Sequence, residues 1–338
     1  MNLLNAKPYK SCTLCPRKCG INRENNLSGF CKESANLRIS TACLHFGEEP
    51  PITGKKGSGT IFITGCNLRC AFCQNYQISQ CGMGTSVSKE TFAQICLKLQ
   101  EEGAENINIV TGSHAVPSIV EGLLFAKDKG LTIPICWNSS GYETEESIQM
   151  LSSVVDIWLP DLKTLNPLIS EAIFQAKDYP SVAKKAIRAM IEKAPLIFDE
   201  NEKMLSGVII RHLVLPGRMN DTILVLDWLK KHCDGKCCIS VMSQYTPVNF
   251  SDDKTPSSSE HRKKALEAFP NRFLTTEEFA QIHELITEYE FEYLFYQDLD
   301  SDNCKELNAD WLPDFKKKQP FSNALAKPVW HWNFGFTN

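Results

Sequence analysis

The informative stretch is Thr60-Ile61-Phe62-Ile63-Thr64-Gly65-Cys66-Asn67-Leu68-Arg69-Cys70-Ala71-Phe72-Cys73-Gln74-Asn75. Its apolar head reads as a strand. Directly beyond it, three residues and then two separate three thiols. Thiolates this close let one loop wrap three corners of an iron-sulfur cube. Three ligands leave one iron uncovered, and a vacant metal position is where a substrate or cofactor binds. A zinc knuckle or a plain electron-transfer cluster are the competing readings. Zinc wants four ligands, and the next thiol, Cys81, comes too late for knuckle spacing.

Working outward, short apolar runs alternate with stretches of helical spacing, the pattern of βαβ units and a parallel sheet. Six strands are expected at 59–65, 107–111, 133–138, 155–159, 208–215 and 238–242, with helices at 89–101, 117–128, 144–152, 181–191 and 221–232. The fold class is α/β, and right-handed crossovers let six such units form either a partial barrel or an open doubly wound sheet. Either way, ligands belong at the carboxyl ends of the strands.

The flanks differ from this core. Residues 1–57 are polar and interrupted by Pro8, Pro16, Pro50 and Pro51, without a helical stripe or sustained alternation, and read as a small cysteine-rich metal-binding module. The barrel core is expected over 58–297, with a loop at 251–260 and a further helix at 277–289. Residues 298–338 form an irregular extension rich in aromatics (Trp311, Phe315, Phe321, Trp330, Trp332, Phe334 and Phe336), expected to pack on the core.

The Cys66, Cys70, Cys73 arrangement, with Phe72 just before the third thiol, resembles the signature of the radical S-adenosylmethionine superfamily. The resemblance implies a partial (β/α)6 barrel, a [4Fe-4S] cluster on those thiols, and S-adenosylmethionine chelated at the open iron. Reductive cleavage then yields a 5'-deoxyadenosyl radical that abstracts hydrogen. Wider stretches narrow the likeness: Cys12-Thr13-Leu14-Cys15-Pro16-Arg17-Lys18-Cys19-Gly20, Gly29-Phe30-Cys31, His45-Phe46-Gly47-Glu48-Glu49-Pro50-Pro51, Gly57-Ser58-Gly59-Thr60, and the run from Cys73 to Gln80. Together, from Cys12 to about Phe315, these look like the branch similar to pyruvate formate-lyase activating enzyme. Activating enzymes abstract hydrogen from a backbone glycine of a partner enzyme, so a protein glycine is the leading substrate expectation. Modification of a small molecule or RNA is the rival within the class, and a non-enzymatic electron carrier the rival outside it.

One departure stands out. Activating enzymes carry a Gly-Gly-Glu stretch after the second strand, which contacts the methionine amino group. Here the place reads Thr111-Gly112-Ser113-His114, so the contacts are expected from backbone carbonyls and the Ser113 hydroxyl. Asn138-Ser139-Ser140-Gly141 resembles the polar turn near the cofactor in those enzymes. Asp161-Leu162-Lys163 is similar to their segment that helps hold a monovalent cation and the cofactor carboxylate. Arg211, His212, Gln244 and Tyr245 stand at the last two strand ends and face adenosine or substrate on this reading. With Phe72 and Asn75 they complete the expected cofactor contacts; no side chain is singled out as catalytic.

Cys12, Cys15, Cys19 and Cys31 supply four thiols, a complete set for structural zinc or a second iron-sulfur cluster, and the ligands alone do not choose. Cys43, Cys96, Cys136, Cys233, Cys237, Cys238 and Cys304 form no ligand set and read as small core residues. The chain holds 15 cysteines, and no apolar run approaches the ~20 residues of a membrane span. A cytoplasmic protein that uses thiols for metal is therefore expected. With 338 residues, 43% hydrophobic, it can bury a full core. Lys+Arg 36 against Asp+Glu 40 gives no cationic field for nucleic acid. An external one-electron donor such as flavodoxin or ferredoxin is the expected partner.

Overall fold

The computed structural model describes residues 8–248, 263–296, 312–322 and 325–337. One mixed sheet gathers strands β1 (Arg38–His45), β2 (Ser58–Ile63), β3 (Thr85–Ser86), β4 (Ile107–Val110), β5 (Ile135–Ser139), β6 (Ile157–Pro160), β7 (Ile197–Phe198), β8 (Met204–Leu213), β9 (Cys238–Met242), β10 (Leu294–Tyr296), β11 (Ala326–His331) and β12 (Gly335–Phe336). The helices are α1 (Pro50–Thr53), α2 (Tyr76–Ser79), α3 (Lys89–Glu101), α4 (Val116–Asp128), α5 (Glu145–Leu151), α6 (Pro167–Phe174), α7 (Tyr179–Lys193), α8 (Met219–His232) and α9 (Thr276–Tyr289).

Strands β2, β4, β5, β6, β8, β9 and β10 lie side by side, parallel and in chain order. A doubly wound sheet reverses its strand order at a switch point. This one never does, so the winding is that of a partial barrel, and the sheet stays open. The six expected strands are all present, and β10 adds a seventh. Helix starts follow local chemistry: Ser88 accepts from the Thr91 N–H ahead of α3, Thr144 from the Ser147 N–H ahead of α5, and Thr275 with Glu278 forms a capping box at α9.

Strands also arise where none was expected. β1 lies in the stretch read as lacking regular structure, and it pairs antiparallel with both β2 and β11. Its six central residues are all buried, so no polar alternation reveals it. β11 and β12 likewise correct the reading of the C-terminal extension as irregular. Phe315 and Trp330 are buried there, whereas Phe334 and Phe336 are exposed. The loop at 251–260, Trp311 and Cys304 lie outside the described residues.

Strand alternation sorts the core into two sides. Ile107, Ile109, Ile135, Trp137, Trp158, Val208, Ile210, Ile239 and Val241 pack with the helices. Their neighbours Cys136, Ile157, Leu159, Ile209 and Cys238 face the concave side, where Ile52 of α1 fills the space among them. Asn106 holds this plug by donating to the Ile52 carbonyl at 2.7 Å. Burying one such isoleucine contributes about 2 kcal/mol.

Candidate active site

The loop after β2 begins at Gly65, whose φ of +87° is the left-handed region. A Cβ there would lie 2.3 Å from Glu33 Cγ and 3.0 Å from the Cys31 carbonyl, so only glycine fits. Backbone bonds then fix the thiol-bearing turn. Ala71 N–H donates to the Ile173 carbonyl, Cys73 N–H to the Cys70 carbonyl, and Leu68 N–H to Cys66 Sγ at 3.3 Å. Asn67 donates to the Tyr142 carbonyl at 2.8 Å. Phe72 anchors the loop edge-on against Phe174, Tyr245 and Phe269, each ring about 6 Å away.

All three thiols open onto one cavity of about 290 Å³. Cys66 and Cys70 are buried and Cys73 is half-buried. Burial pushes the Cys66 and Cys70 thiols above their usual range, and the nearby Lys163 ammonium pulls both part-way back. Thiols held protonated in this way release their protons when a metal or cluster takes them as ligands.

Opposite the thiols stands a charge network. Arg211 Nε donates to Asp161 Oδ1 at 2.9 Å, its NH1 to Glu48 Oε2 at 3.1 Å, and its NH2 to Asn138 Oδ1. Lys163 Nζ donates to Asp161 Oδ2 at 2.6 Å. Burial opposes the charge on Asp161, yet Arg211 and Lys163 hold its carboxyl below the usual range. Burial pushes the Glu48 carboxyl up, and Arg211 pulls it partly back. Glu48 also accepts from Asn108 and Asn138. Both Asp161 oxygens are thus engaged by cations of this chain.

Of the expected contacts, Phe72, Asn75, Asn138, Ser139, Asp161, Lys163, Arg211, Gln244 and Tyr245 line the cavity with the three thiols. Gly112, Ser113, His114 and His212 do not. Gly112 is needed for packing, since a Cβ would meet Ile119 and Trp137 at 2.6 Å. Ser113 donates to buried Glu143 at 2.6 Å, whose carboxyl burial pushes up to about 7. His114 Nε2 donates to the Thr64 carbonyl at 2.8 Å, and burial lowers the ring to about 3. His212 has the parity of Val208 and Ile210 and so turns toward the helices; its Nδ1 donates to the Leu162 carbonyl and its Nε2 accepts from Thr222.

Sequence reasoning missed Glu48 as an ion-pair partner, and missed Pro313, Phe321 and Leu325, which wall the cavity from the C-terminal segment. The run His45-Phe46-Gly47-Glu48-Glu49 was visible, but its partner Arg211 lies 163 residues away. His45 does shape that loop, accepting from the Gly47 N–H, and burial lowers its ring to about 4.

Residues 60–225 match the family model of the Radical SAM superfamily. The chain belongs to that superfamily. An uncharacterized protein of Methanocaldococcus jannaschii is 32% identical over 85% of this chain and 77% of its own length. The pyruvate formate-lyase-activating enzyme of Listeria monocytogenes is 26% identical over 48% of this chain and 63% of that enzyme. Among solved structures, SuiB of Streptococcus suis, bound to S-adenosylmethionine, aligns with TM-score 0.43 and 13% identity over 69% of this chain and 45% of its own. Methylornithine synthase aligns with TM-score 0.41 and 13% identity over 70% and 69%.

The superfamily implies a [4Fe-4S] cluster and S-adenosylmethionine, and the cavity of this radical SAM protein suits both. Three soft thiolate donors share its wall, while buried Ser140 Oγ and Gln244 Oε1, also on the wall, have no hydrogen-bond partner among the described residues. Thr111, at the end of β4, holds a φ of +62°, strain that a β-branched residue accepts only where its surroundings fix it. No helix among the described residues is long and apolar enough to cross a membrane.

Proposed function

We propose that Cys66, Cys70 and Cys73 hold the [4Fe-4S] cluster and that the chain abstracts hydrogen from a glycine of a partner protein. The observation that carries the cluster assignment is the convergence of three thiols of one loop on a single cavity faced by Lys163, Arg211, Asp161 and Glu48. When bound and reduced by one electron, S-adenosylmethionine supplies a 5'-deoxyadenosyl radical there. The protein's own work is positioning. Lys163 and Arg211 each keep N–H groups beyond those given to Asp161, Glu48 and Asn138, and these suit the cofactor carboxylate. Asn138, Ser139, Gln244 and Tyr245 would orient the adenosine side, and Phe72 holds the thiol loop. A flavodoxin or ferredoxin would deliver the electron in the cytoplasm.

The glycine target rests on the likeness to the activating enzyme. A second reading, a small-molecule substrate, is favoured by Pro313, Phe321 and Leu325, which narrow the cavity. Transfer of deuterium from a labelled candidate into 5'-deoxyadenosine separates the two.

The deciding experiment is anaerobic reconstitution with iron and sulfide, dithionite reduction, and chromatographic assay of 5'-deoxyadenosine. Cys70→Ala is expected to lower product by about 100-fold or more, about 3 kcal/mol of barrier. Equal product from wild type and variant would overturn the assignment.

A further inference from the structure

Helix α2, Tyr76–Ser79, is a single turn that folds straight back onto the loop carrying the Cys66 triplet. Ile78 and Ser79 both donate their N–H to the Asn75 carbonyl, and Gln80 and Cys81 both donate theirs to the Tyr76 carbonyl. Two bonds tie this turn to the thiol loop itself. Gly65 N–H donates to the Ile78 carbonyl at 3.0 Å, and Gln80 Nε2 donates to the Cys70 carbonyl at 3.0 Å. On its other side, Ile78 is buried in one apolar cluster with Phe62, Val110 and Phe315. The turn is held from both sides, so its last residue has little freedom to shift.

That residue is Ser79, which is 7% exposed and shares the cavity wall with the three thiols. Its Oγ lies 3.3 Å from Cys73 Sγ, within reach of a hydrogen bond to sulfur. A serine in a helix commonly turns its hydroxyl to the carbonyl one turn back. Here that carbonyl, of Asn75, already accepts two backbone N–H groups, and the hydroxyl meets the thiol instead. While Cys73 keeps its proton, either atom can donate. A sulfur that has released its proton to bind iron can only accept, so the hydroxyl becomes the donor.

The three thiols differ in what faces them. Cys66 Sγ accepts from the Leu68 N–H at 3.3 Å, and Cys70 has the Lys163 ammonium nearby. Cys73 has a side-chain hydroxyl, a donor that one substitution deletes without touching the backbone of the loop. Hydrogen bonds to the sulfurs of a cluster draw negative charge away from the iron, favour the state that carries the extra electron and so raise the reduction potential.

We infer that Ser79 is a positioning residue that acts through Cys73: its hydroxyl donates to the Cys73 sulfur and makes the cluster easier to reduce. The inference rests on the assignment of that cluster to Cys66, Cys70 and Cys73. It gives α2 a task in the chemistry beyond packing, because delivery of one electron precedes every cleavage of S-adenosylmethionine.

The test uses the full chain, reconstituted anaerobically with iron and sulfide in the absence of S-adenosylmethionine. A redox titration is followed by electron paramagnetic resonance, on the signal that Cys70→Ala lacks. Ser79→Ala is expected to bind as much iron and acid-labile sulfide as wild type, yet to show a reduced-to-oxidised ratio about tenfold lower at a fixed potential, about 59 mV for one electron. Ser79→Thr, which keeps the hydroxyl, should restore the ratio. A wild-type ratio in Ser79→Ala would overturn the inference. The same loss in both variants would overturn it too, by tracing the effect to the packing of α2. Cys70→Ala with wild-type iron and signal would instead sink the triplet assignment, and this inference with it.

Discussion

The two cysteine sets sit on abutting loops and are held in opposite ways. Cys66, Cys70 and Cys73 follow a fully buried strand in the middle of the sheet, and their loop is clamped by Phe72, Asn67 and backbone bonds. Cys12, Cys15, Cys19 and Cys31 lie on turns that reach the barrel through a few side chains. Arg17 donates to the carbonyls of Asn67, Phe174 and Gln175 and stacks on Phe30. Arg23 donates to the His114 carbonyl, and Leu14 accepts from Thr144 and Ser147. One set inherits its rigidity from the barrel; the other is tied to it by bonds from a few residues. A three-ligand site can keep an open coordination position only because the surrounding fold, not the metal, fixes the loop.

Gly65→Ala should blur this contrast most, because Gly65 is where the two loops touch. Left-handed backbone and the clash with Glu33 together cost about 3 kcal/mol, read in urea denaturation, and the Cys66 loop should take up less iron on reconstitution. A melt within experimental error of wild type would show that the loops do not depend on each other.

Glu143 tests the turn that bridges them, since Ser113 and His114 sit between the thiol loop and Arg23. Its folded carboxyl lies near 7, above its ordinary value of 4.5. The native state therefore holds more protons than the unfolded one between these values. Stability from this group is full below about pH 4.5, falls as pH rises, and levels off above about pH 7, by up to about 3 kcal/mol in all. Glu143→Gln should flatten that slope in denaturation curves at pH 5 and pH 8; an unchanged slope would place the titration elsewhere.

Arg17→Ala is the mildest probe. It removes three partly exposed bonds and two ring contacts, with Phe30 and Tyr142, about 2 kcal/mol, and should loosen residues 8–37 in hydrogen exchange while 5'-deoxyadenosine formation persists. Protection lost equally across β2 and β4 would mean that the module and barrel unfold as one.

Much of this was legible from residue order. Six strands, their crossover helices and the Cys66 triplet all announce themselves through local pattern, because apolar period and tight thiol spacing are properties of neighbouring residues. β1 escaped because burial on both faces erases alternation. Gly112, Ser113, His114 and His212 were expected at the cofactor, but packing, Glu143, Thr64 and strand parity claimed them.

What no local pattern supplied was the company each side chain keeps. Arg211 faces the cavity and His212 the helices because adjacent residues of a strand point to opposite sides, and only the assembled sheet says which side is which. Glu48 and Phe321 reach that cavity from segments far apart in the chain, since pairing β1 with both β2 and β11 is a long-range contact. Residue order determined the thiols and the elements that carry them; the tertiary structure decided which charges face those thiols, because that depends on strand register and on loops brought together only when the sheet forms.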